Sequence, residues 1–309
     1  KNTTQNYRIG VDIGGTFTDI VLLNESTGAC QNGKVLTTPD DPSRAVLMGV
    51  SDMLQEYNVA PAQTSVIHGT TLVANALIER KGVATALITS KGFRDVLEIG
   101  REWRYDLFDL EIQMPEPLVP RHRRFEVTER VGPKGDIITP LDENAIVALA
   151  KELAKSDVHA IAVLYLHAFK NAVHEQRTKE LFNQYAPKLT ICLSSQVSPE
   201  IGEYERASTV SANAYVQPIF KAYVRDIATG LRDLKIERDL FLMLSDGGTV
   251  HEKAAVEFPI RLVQSGPAGG AQAATLYGRI SKVNELICFD MGGTTAKACL
   301  IEGGQPSRT

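Results

Sequence analysis

Two segments near opposite ends of the chain carry the same pattern, and this repetition limits the possible folds more than any other feature. Each has an apolar run, an aspartate, a glycine pair followed by threonine, and a second apolar run. The first runs from Val11 to Leu23 and the second from Phe289 to Ile301, and they align without gaps. Each predicts a β-hairpin with a glycine turn. The repetition indicates an internal duplication with two similar halves.

The turn of the first hairpin is suited to binding a phosphate. Gly14 and Gly15 carry no Cβ, so backbone N–H groups can approach an anion closely. The hydroxyls of Thr16 and Thr18 add further donors. Asp12 would repel a bare phosphate, so we expect it to act through Mg²⁺, directly or through water, or to orient an attacking group. For one copy alone, an ordinary hairpin turn is the alternative.

The second hairpin supplies the same groups. Asp290 matches Asp12, and the residues equivalent to the donors of the first turn are Gly292, Gly293, Thr294 and Thr295. Two hairpins that face each other across a cleft can clamp the β- and γ-phosphates of a nucleotide with a metal between them. The copies differ where Asp19 is replaced by Lys297. The lysine can point at phosphate or into solvent.

Composition and charge exclude several classes of function. The chain has 309 residues, which favours about two domains, and 43% of them are hydrophobic. A formal net charge of −4 argues against nucleic acid or an anionic membrane surface as the main partner. No apolar stretch approaches the ~18 residues of a membrane span, and the N-terminus lacks a signal-peptide apolar region. We therefore expect a cytoplasmic protein.

The four cysteines show no C-x-x-C spacing. Three of them, Cys192, Cys288 and Cys299, lie in apolar, strand-like runs. Buried free thiols in a reducing compartment are the simplest interpretation.

Helices and strands alternate regularly in the middle of the chain. The periodicity predicts helices over 141–155 and 171–185 and strands over 160–166 and 189–193, which is typical of a sheet with parallel members. The segment 198–202 interrupts this pattern. We therefore predict an N-terminal domain over residues 1–200 and the start of a second domain over 201–309.

A long helical pattern follows the predicted boundary, from about Glu203 to Leu231. Pro218 inside it predicts a break or kink. The charged residues Glu203, Glu205 and Arg206 could face a site between domains or form a surface salt-bridge cluster.

Three further segments are candidates for function. His68-Gly69-Thr70-Thr71 precedes a helix, where Thr70 or Thr71 could cap an anion site or simply the helix, with His68 hydrogen-bonded in the core. Gly266 opens an alanine-rich helix beside a predicted strand end over 261–263, and either nucleotide binding or tight helix packing would explain it. The loop over 101–124, with its basic run 121–124, could bind an anion or a partner, or could be solvated.

The motifs together resemble the large ATP-binding subunit of the hydantoinase A / 5-oxoprolinase / acetone carboxylase family, within the actin, Hsp70 and sugar-kinase ATPase superfamily. The matching segments span nearly the whole chain: 14–19, 68–71 with Asn75 and Ala76, 91–93, 245–248, 265–268 and 290–295. The resemblance implies an α/β fold of ribonuclease-H-like (actin-like ATPase) mixed sheets flanked by helices, with the first domain complete and the second partial.

The resemblance also implies a chemistry. MgATP would bind between the hairpins, Asp12 and Asp290 would hold Mg²⁺ or its waters, and Thr70 and Thr71 would approach the γ-phosphate or the substrate. The implied function is the ATP-binding subunit of a cyclic-amide hydrolase of hydantoinase or oxoprolinase type. It would phosphorylate the substrate carbonyl oxygen and work with a hydantoinase-B-type second subunit.

Two alternatives remain. A ketone carboxylase subunit would use the same phosphate-binding residues to phosphorylate an enolate. An actin-like assembly protein would use nucleotide binding between the two hairpins to change shape. A sugar kinase has less support, because no zinc-ligand cysteine cluster is present. Family subunits continue beyond the second hairpin, where the adenosine pocket is expected, and the chain starts with Lys1 rather than methionine. We therefore expect a fragment that binds nucleotide weakly and is inactive alone.

Overall fold

The structure is a computed structural model that describes residues 6–38, 40–103, 105–291 and 296–307. Its strands are β1 (Tyr7–Ile13), β2 (Phe17–Asn24), β3 (Cys30–Leu36), β4 (Thr64–Thr70), β5 (Thr85–Ser90), β6 (Arg124–Val127), β7 (Arg130–Val131), β8 (Ile137–Thr139), β9 (Ala160–Leu164), β10 (Thr190–Leu193), β11 (Leu240–Met243), β12 (Thr249–His251), β13 (Leu286–Met291), β14 (Ala296–Glu302) and β15 (Gln305–Pro306). Its α-helices are α1 (Pro42–Glu56), α2 (Leu72–Ile78), α3 (Val96–Ile99), α4 (Glu143–Leu153), α5 (Val173–Tyr185), α6 (Ser194–Val197), α7 (Glu203–Asp233), α8 (Glu252–Glu257) and α9 (Ser265–Ser281). Short 3-10 helices cover Pro61–Gln63, Arg121–Arg123 and Pro259–Leu262.

The chain divides into two compact units. Unit 1 consists of residues 1–75 and 220–309, and unit 2 of residues 76–219. This division differs from the predicted domains 1–200 and 201–309. The physical reason is strand pairing, because β11 pairs with β4 and so completes a sheet that begins at the N-terminus. The assignment of residues 201–309 to the start of a second ATPase domain stays a prediction.

The main sheet of unit 1 has the strand order β12-β11-β4-β1-β2-β3. β1, β2 and β3 form an antiparallel meander, whereas β4 runs parallel to β1, and β11 runs parallel to β4. Alternate residues are buried along these strands, as a sheet with one face covered requires. A second sheet, β13-β14-β15, contains the second predicted hairpin.

Helix α1 packs on the strands of the first hairpin. Its apolar side, which includes Val46, Val50 and Met53, is buried. Gly49 permits the close approach, because a Cβ there would lie 2.5 Å from Cδ1 of Ile20 on β2. The Asp41 carboxylate caps the helix by accepting the Ser43 N–H, and Pro42 occupies the first helical position.

Unit 2 is built on a parallel sheet with the order β10-β9-β5-β6. The predicted alternation of helix and strand after residue 141 is confirmed by α4, β9, α5 and β10. A buried apolar cluster joins these elements: Ala86, Ile88, Val127, Ile146, Leu149, Ala150, Leu153, Val158, Ile161, Val163, Tyr165, Ala168, Leu181, Phe182, Ala186, Ile191 and Leu193.

A buried polar network corrects the surface assignment of Arg206. Its side chain is fully buried, and Nη2 donates to Ser194 Oγ at 2.9 Å and to the Tyr165 carbonyl oxygen. Ser194 Oγ in turn donates to the buried Glu175 carboxylate at 2.6 Å. Burial raises the pKa of Glu175, while its hydrogen-bond donors oppose the rise. Glu205, by contrast, lies nearer the surface and forms an ion pair with Arg101.

The basic run over 121–124 is neutralised within unit 2. Arg121 pairs with Asp95, Arg123 pairs with Asp157, and the buried Arg124 pairs with Glu98. These contacts argue against a free anion-binding patch. In the loop before it, six large apolar side chains are exposed: Trp103, Tyr105, Leu107, Phe108, Leu110 and Met114.

Three other expectations need correction. Pro218 lies inside the continuous helix α7, so the helix does not break there, and the alternative of a kink stays a prediction. Residues 261–263 do not end a strand, because a 3-10 helix covers Pro259–Leu262. All four cysteines are described and free, as predicted, but Cys192 alone is buried, while Cys30 is exposed. Within the described part of the chain, the helices lack the length or apolar character needed to cross a bilayer.

Candidate functional site

Backbone hydrogen bonds fix the turn of the first hairpin. Gly14 N donates to Phe17 O at 2.9 Å and closes the turn between β1 and β2. Thr37, just after β3, ties the turn from the side: its hydroxyl donates to Gly14 O at 2.9 Å and its N–H donates to Thr16 O at 3.0 Å. The turn is therefore preorganised by its neighbouring strand.

The predicted phosphate donors of this turn have different surroundings. Gly15 and Thr16 are exposed. Thr18 is fully buried in β2, with its hydroxyl 3.0 Å from the Thr37 hydroxyl. The bonds already made by Gly14 N–H and Thr18 argue against either as a direct donor, whereas Gly15 and Thr16 stay predictions.

Asp12 lies near the end of β1, where it faces Asp19 on β2. Asp19 is paired with Lys34 on β3, whose Nζ lies 3.0 Å from Asp19 Oδ1. No described basic side chain lies within ion-pair distance of Asp12. Partial burial raises the pKa of Asp12, the carboxylates of Asp19 and Asp290 raise it further, and Lys297 lowers it. The site thus holds a carboxylate that lacks a close counter-ion.

The second hairpin is formed by β13 and β14, in which Asp290 faces Lys297. Asp290 is exposed. Because Asp290 and Lys297 both act on the Asp12 charge, the two matching aspartates of the duplicated pattern interact electrostatically within unit 1. The predicted donors Gly292, Gly293, Thr294 and Thr295 lie outside the described residues.

The junction between β4 and α2 adjoins the first hairpin. Thr71 is partly exposed, and its hydroxyl donates to Ile13 O, directly before the glycine turn, at 3.2 Å. Thr70 is buried, and its hydroxyl accepts the Leu72 N–H at 3.1 Å, as predicted for a cap. The burial of Thr70 argues against contact with substrate and leaves Thr71 as the better candidate.

The first turn of α9 lies against the same junction. Ser265 Oγ donates to Thr70 O at 2.8 Å. Gly266 follows, and a Cβ on it would lie 4.0 Å from Thr71 Cγ2. The structure thus brings the predicted residues Gly266 and Thr71 together beside the first hairpin.

His68 lies in the core beneath the site and is hydrogen-bonded there, which is one of the two alternatives that the sequence left open. It is fully buried, with Nδ1 3.2 Å from Val11 O and Nε2 2.7 Å from the Tyr223 hydroxyl. Burial lowers the pKa of His68 to about 4. The neutral ring donates from Nδ1 and accepts from Tyr223 at Nε2. No sequence signal identified Tyr223, which lies within α7, far along the chain from His68.

The residues at Asp12 fit a hydrated Mg²⁺. No cluster of three or more metal-ligating side chains exists among the described residues. Mg²⁺ commonly keeps several waters and binds through one or two carboxylates together with substrate phosphates. Asp12, a carboxylate without a close counter-ion beside exposed turn residues, could bind such a hydrated ion. Asp290 is a second carboxylate of the same unit.

Comparison with known families identifies the family of the chain. The hydantoinase/oxoprolinase N-terminal region matches residues 8–186, and the hydantoinase/oxoprolinase domain matches residues 206–309. The chain belongs to the hydantoinase/oxoprolinase family. The family inferred from the sequence motifs is thereby confirmed.

Relatives within this family use ATP. The caprolactamase subunit alpha of Pseudomonas jessenii is 32% identical, over 97% of this chain and 44% of the relative. The crystal structure of that ATP-dependent caprolactamase matches with a TM-score of 0.81 and 31% identity, over 95% of this chain and 43% of its own. A nucleotide-free acetone carboxylase, from a study of ATP-dependent acetone carboxylation, matches with a TM-score of 0.88 and 26% identity, over 97% and 44%.

A third relative, the 5-oxoprolinase of Saccharomyces cerevisiae, is 32% identical over 94% of this chain and 25% of the relative. The hydantoinase/oxoprolinase chain described here thus spans less than half the length of these relatives. Its mixed α/β architecture is the one these matches support.

Proposed function

We propose that this chain is the ATP-binding part of an ATP-dependent cyclic-amide hydrolase. One observation carries the proposal: Asp12 lies without a close counter-ion beside the exposed glycine turn and in the field of Asp290. A carboxylate in this position suits a Mg²⁺ ion that arrives with nucleotide phosphates. Caprolactamase and 5-oxoprolinase, which act on cyclic amides by their names, support the choice of substrate class.

The proposed reaction begins with phosphoryl transfer. The amide oxygen attacks the γ-phosphorus, the bond to the bridging oxygen breaks, and ADP leaves. One water then adds to the activated carbon, and the ring C–N bond breaks as the nitrogen takes up a proton, which leaves an acyl phosphate. A second water hydrolyses the acyl phosphate to a carboxylate and free phosphate. Bound Mg²⁺ would neutralise phosphate charge during the transfer. The protein needs to position the nucleotide and exclude competing water.

Each residue of the site has a role in this proposal. Asp12 and Asp290 hold Mg²⁺ or its waters, and Gly15 and Thr16 donate to phosphate. Thr71 approaches the γ-phosphate or the amide, and the Gly266 turn of α9 adds backbone N–H groups near it. Residues 292–295, which lie outside the described residues, are assigned the remaining donors from the sequence pattern alone.

The sheet of unit 1 supports a ribonuclease-H-like domain. An antiparallel meander of three strands continues into parallel strands in the order β3-β2-β1-β4-β11. A hydantoinase-B-type second subunit is part of the proposal, since several relatives are named as subunits of larger enzymes.

A ketone carboxylase subunit is the second candidate. The acetone carboxylase match, with a TM-score of 0.88, favours it. The same phosphate-binding residues would then promote phosphoryl transfer from ATP to an enolate oxygen before carboxylation.

Substrate-dependent ADP release by the full-length protein with its natural partner subunits tests the proposal. The substrates are N-methylhydantoin, 5-oxoproline, caprolactam, and acetone with bicarbonate. We expect a cyclic amide to stimulate ADP release; stimulation by acetone and bicarbonate alone would favour the carboxylase. Asp12→Ala should abolish the stimulated release, whereas Asp52→Ala, at an exposed position of α1, should leave it unchanged. Full activity of Asp12→Ala would contradict the assignment of Asp12.

A further inference from the structure

Gly69 lies directly beside Asp12 in the main sheet of unit 1. β1 and β4 are parallel, and their register places Gly69 opposite Asp12. A Cβ built on Gly69 would lie 3.2 Å from Asp12 Oδ1. The Asp12 carboxylate therefore leans over the backbone of β4, into space that any other residue at position 69 would partly fill.

The contact at Gly69 is specific to this carboxylate. The next nearest atoms to the same Cβ are Val11 O at 3.8 Å and Asp12 Cγ at 3.9 Å, which are ordinary van der Waals distances. Only Asp12 Oδ1 is closer than an ordinary contact, so an added methyl group would act on the carboxylate oxygen and on little else.

Backbone conformation does not explain the glycine. The φ angle of Gly69 lies outside the left-handed region, and the residue is part of a regular strand paired with β1. Glycine in a strand interior weakens the strand, and it often marks a place where another group approaches closely. Here the approaching group is the Asp12 side chain.

The opposite side of Asp12 is also constrained. Asp19 faces it on β2, and like charges directly opposite in a sheet repel each other. Lys34 holds Asp19 through an ion pair of 3.0 Å on the far side. Repulsion from Asp19 and the open space over Gly69 therefore favour the same position of the Asp12 carboxylate.

We propose that Gly69 is a positioning residue, whose missing side chain reserves the place in which the Asp12 carboxylate meets the hydrated cation of a bound nucleotide. This inference rests on the proposed function, since it gives Asp12 the cation as its ligand. Gly69 itself touches neither metal nor phosphate. Residues that orient a metal ligand typically change metal affinity about 10- to 100-fold when altered.

The chain offers a matched control at Gly10. This residue also lies in the main sheet, on β1, with φ outside the left-handed region, but a Cβ on it would meet no atom within 4 Å. Gly69→Ala and Gly10→Ala therefore make the same chemical change in the same sheet, and only the first acts on Asp12.

The experiment measures binding of a non-hydrolysable ATP analogue to the full-length protein by calorimetry, with and without Mn²⁺ as the metal. We expect Mn²⁺ to strengthen binding equally in the wild type and Gly10→Ala. In Gly69→Ala the metal-dependent gain should shrink about tenfold or more, while metal-free affinity stays unchanged. Thermal unfolding without ligand should not separate the two variants, which excludes a general loss of structure.

Asp12→Asn separates the possible failures. Loss of the metal-dependent gain in Asp12→Asn, with a normal gain in Gly69→Ala, would overturn the positioning role alone. A normal gain in Asp12→Asn would overturn the proposed role of Asp12 in cation binding, and the positioning role with it. A wild-type protein without metal-dependent nucleotide binding would overturn the proposed function as well.

Discussion

His68 shows at the scale of one residue how the core constrains the site. Its ring bridges the carbonyl next to Asp12 and the Tyr223 hydroxyl, and burial lowers its pKa to about 4. In the unfolded chain the pKa returns to about 6.5. Between these two pH values the unfolded state binds more protons at His68 than the folded state does. The contribution of the neutral His68 to stability is therefore fully present above pH 6.5 and is lost as the pH falls toward 4.

The free energy of unfolding of unit 1 should therefore fall by about 2 kcal/mol between pH 7 and pH 5 because of His68. Urea unfolding at the two pH values measures this loss. His68→Gln retains a hydrogen-bond donor and an acceptor but does not titrate. The drop in its free energy of unfolding between the two pH values should therefore be smaller than that of the wild type by about 2 kcal/mol. His122→Gln, at an exposed position, should behave as the wild type. Equal pH dependence in all three proteins would show that His68 is not held neutral.

Residue-level reasoning from the sequence identified the aspartates through the repeated pattern. It did not identify Gly69, Lys34 or Tyr223 as partners, because each contact depends on strand register or on a helix distant in sequence. It also placed Thr18 and Thr70 among the candidate ligand contacts, whereas burial directs both hydroxyls to protein partners.

At the scale of elements, the packing of α1 on β2 depends on a close contact. A methyl group on Gly49 would lie 2.5 Å from Ile20 Cδ1 and 2.9 Å from Ile20 Cγ1. Overpacking typically costs about 1–3 kcal/mol, which the higher helix propensity of alanine offsets by about 1 kcal/mol.

A double-mutant cycle tests this contact. Gly49→Ala should lower the free energy of unfolding, and Ile20→Val, which removes Cδ1, should cost about 0.5–1.5 kcal/mol alone. The double variant should be more stable than the sum of the two effects predicts, because Ile20→Val removes Cδ1, the atom that the Gly49→Ala methyl group approaches most closely. Additive effects in urea unfolding would contradict close packing at this point.

Elements with strong local patterns were predicted correctly, notably α4, β9, α5 and β10. Pro218 does not break helix α7. Val216 and Phe220, on either side of it, are buried, and their packing offsets the local free-energy cost of proline in a helix. The pairing of β11 with β4 could not be predicted, because it is a contact between segments far apart in sequence.

At the scale of the whole molecule, unit 2 is an insertion in the sequence of unit 1. The proposed nucleotide contacts all belong to unit 1. MgATP should therefore reduce hydrogen exchange at the first hairpin, at the β4–α2 junction and in the first turn of α9 in the full-length protein. The parallel sheet of unit 2 provides the internal comparison. Stronger protection of β5 and β9 than of β1 and β4 would place the nucleotide elsewhere.

The separation of β4 from β11 also has a consequence for synthesis on the ribosome. At about 5–20 residues per second, the chain between these strands takes about 10–30 s to emerge. All of unit 2 becomes available during this delay, while the edge of β4 that β11 will cover has no strand to pair with. An unpaired strand edge is a template for aggregation. The nascent chain is thus most vulnerable before Leu240 appears, and slowing translation within residues 76–219 should lengthen that exposure.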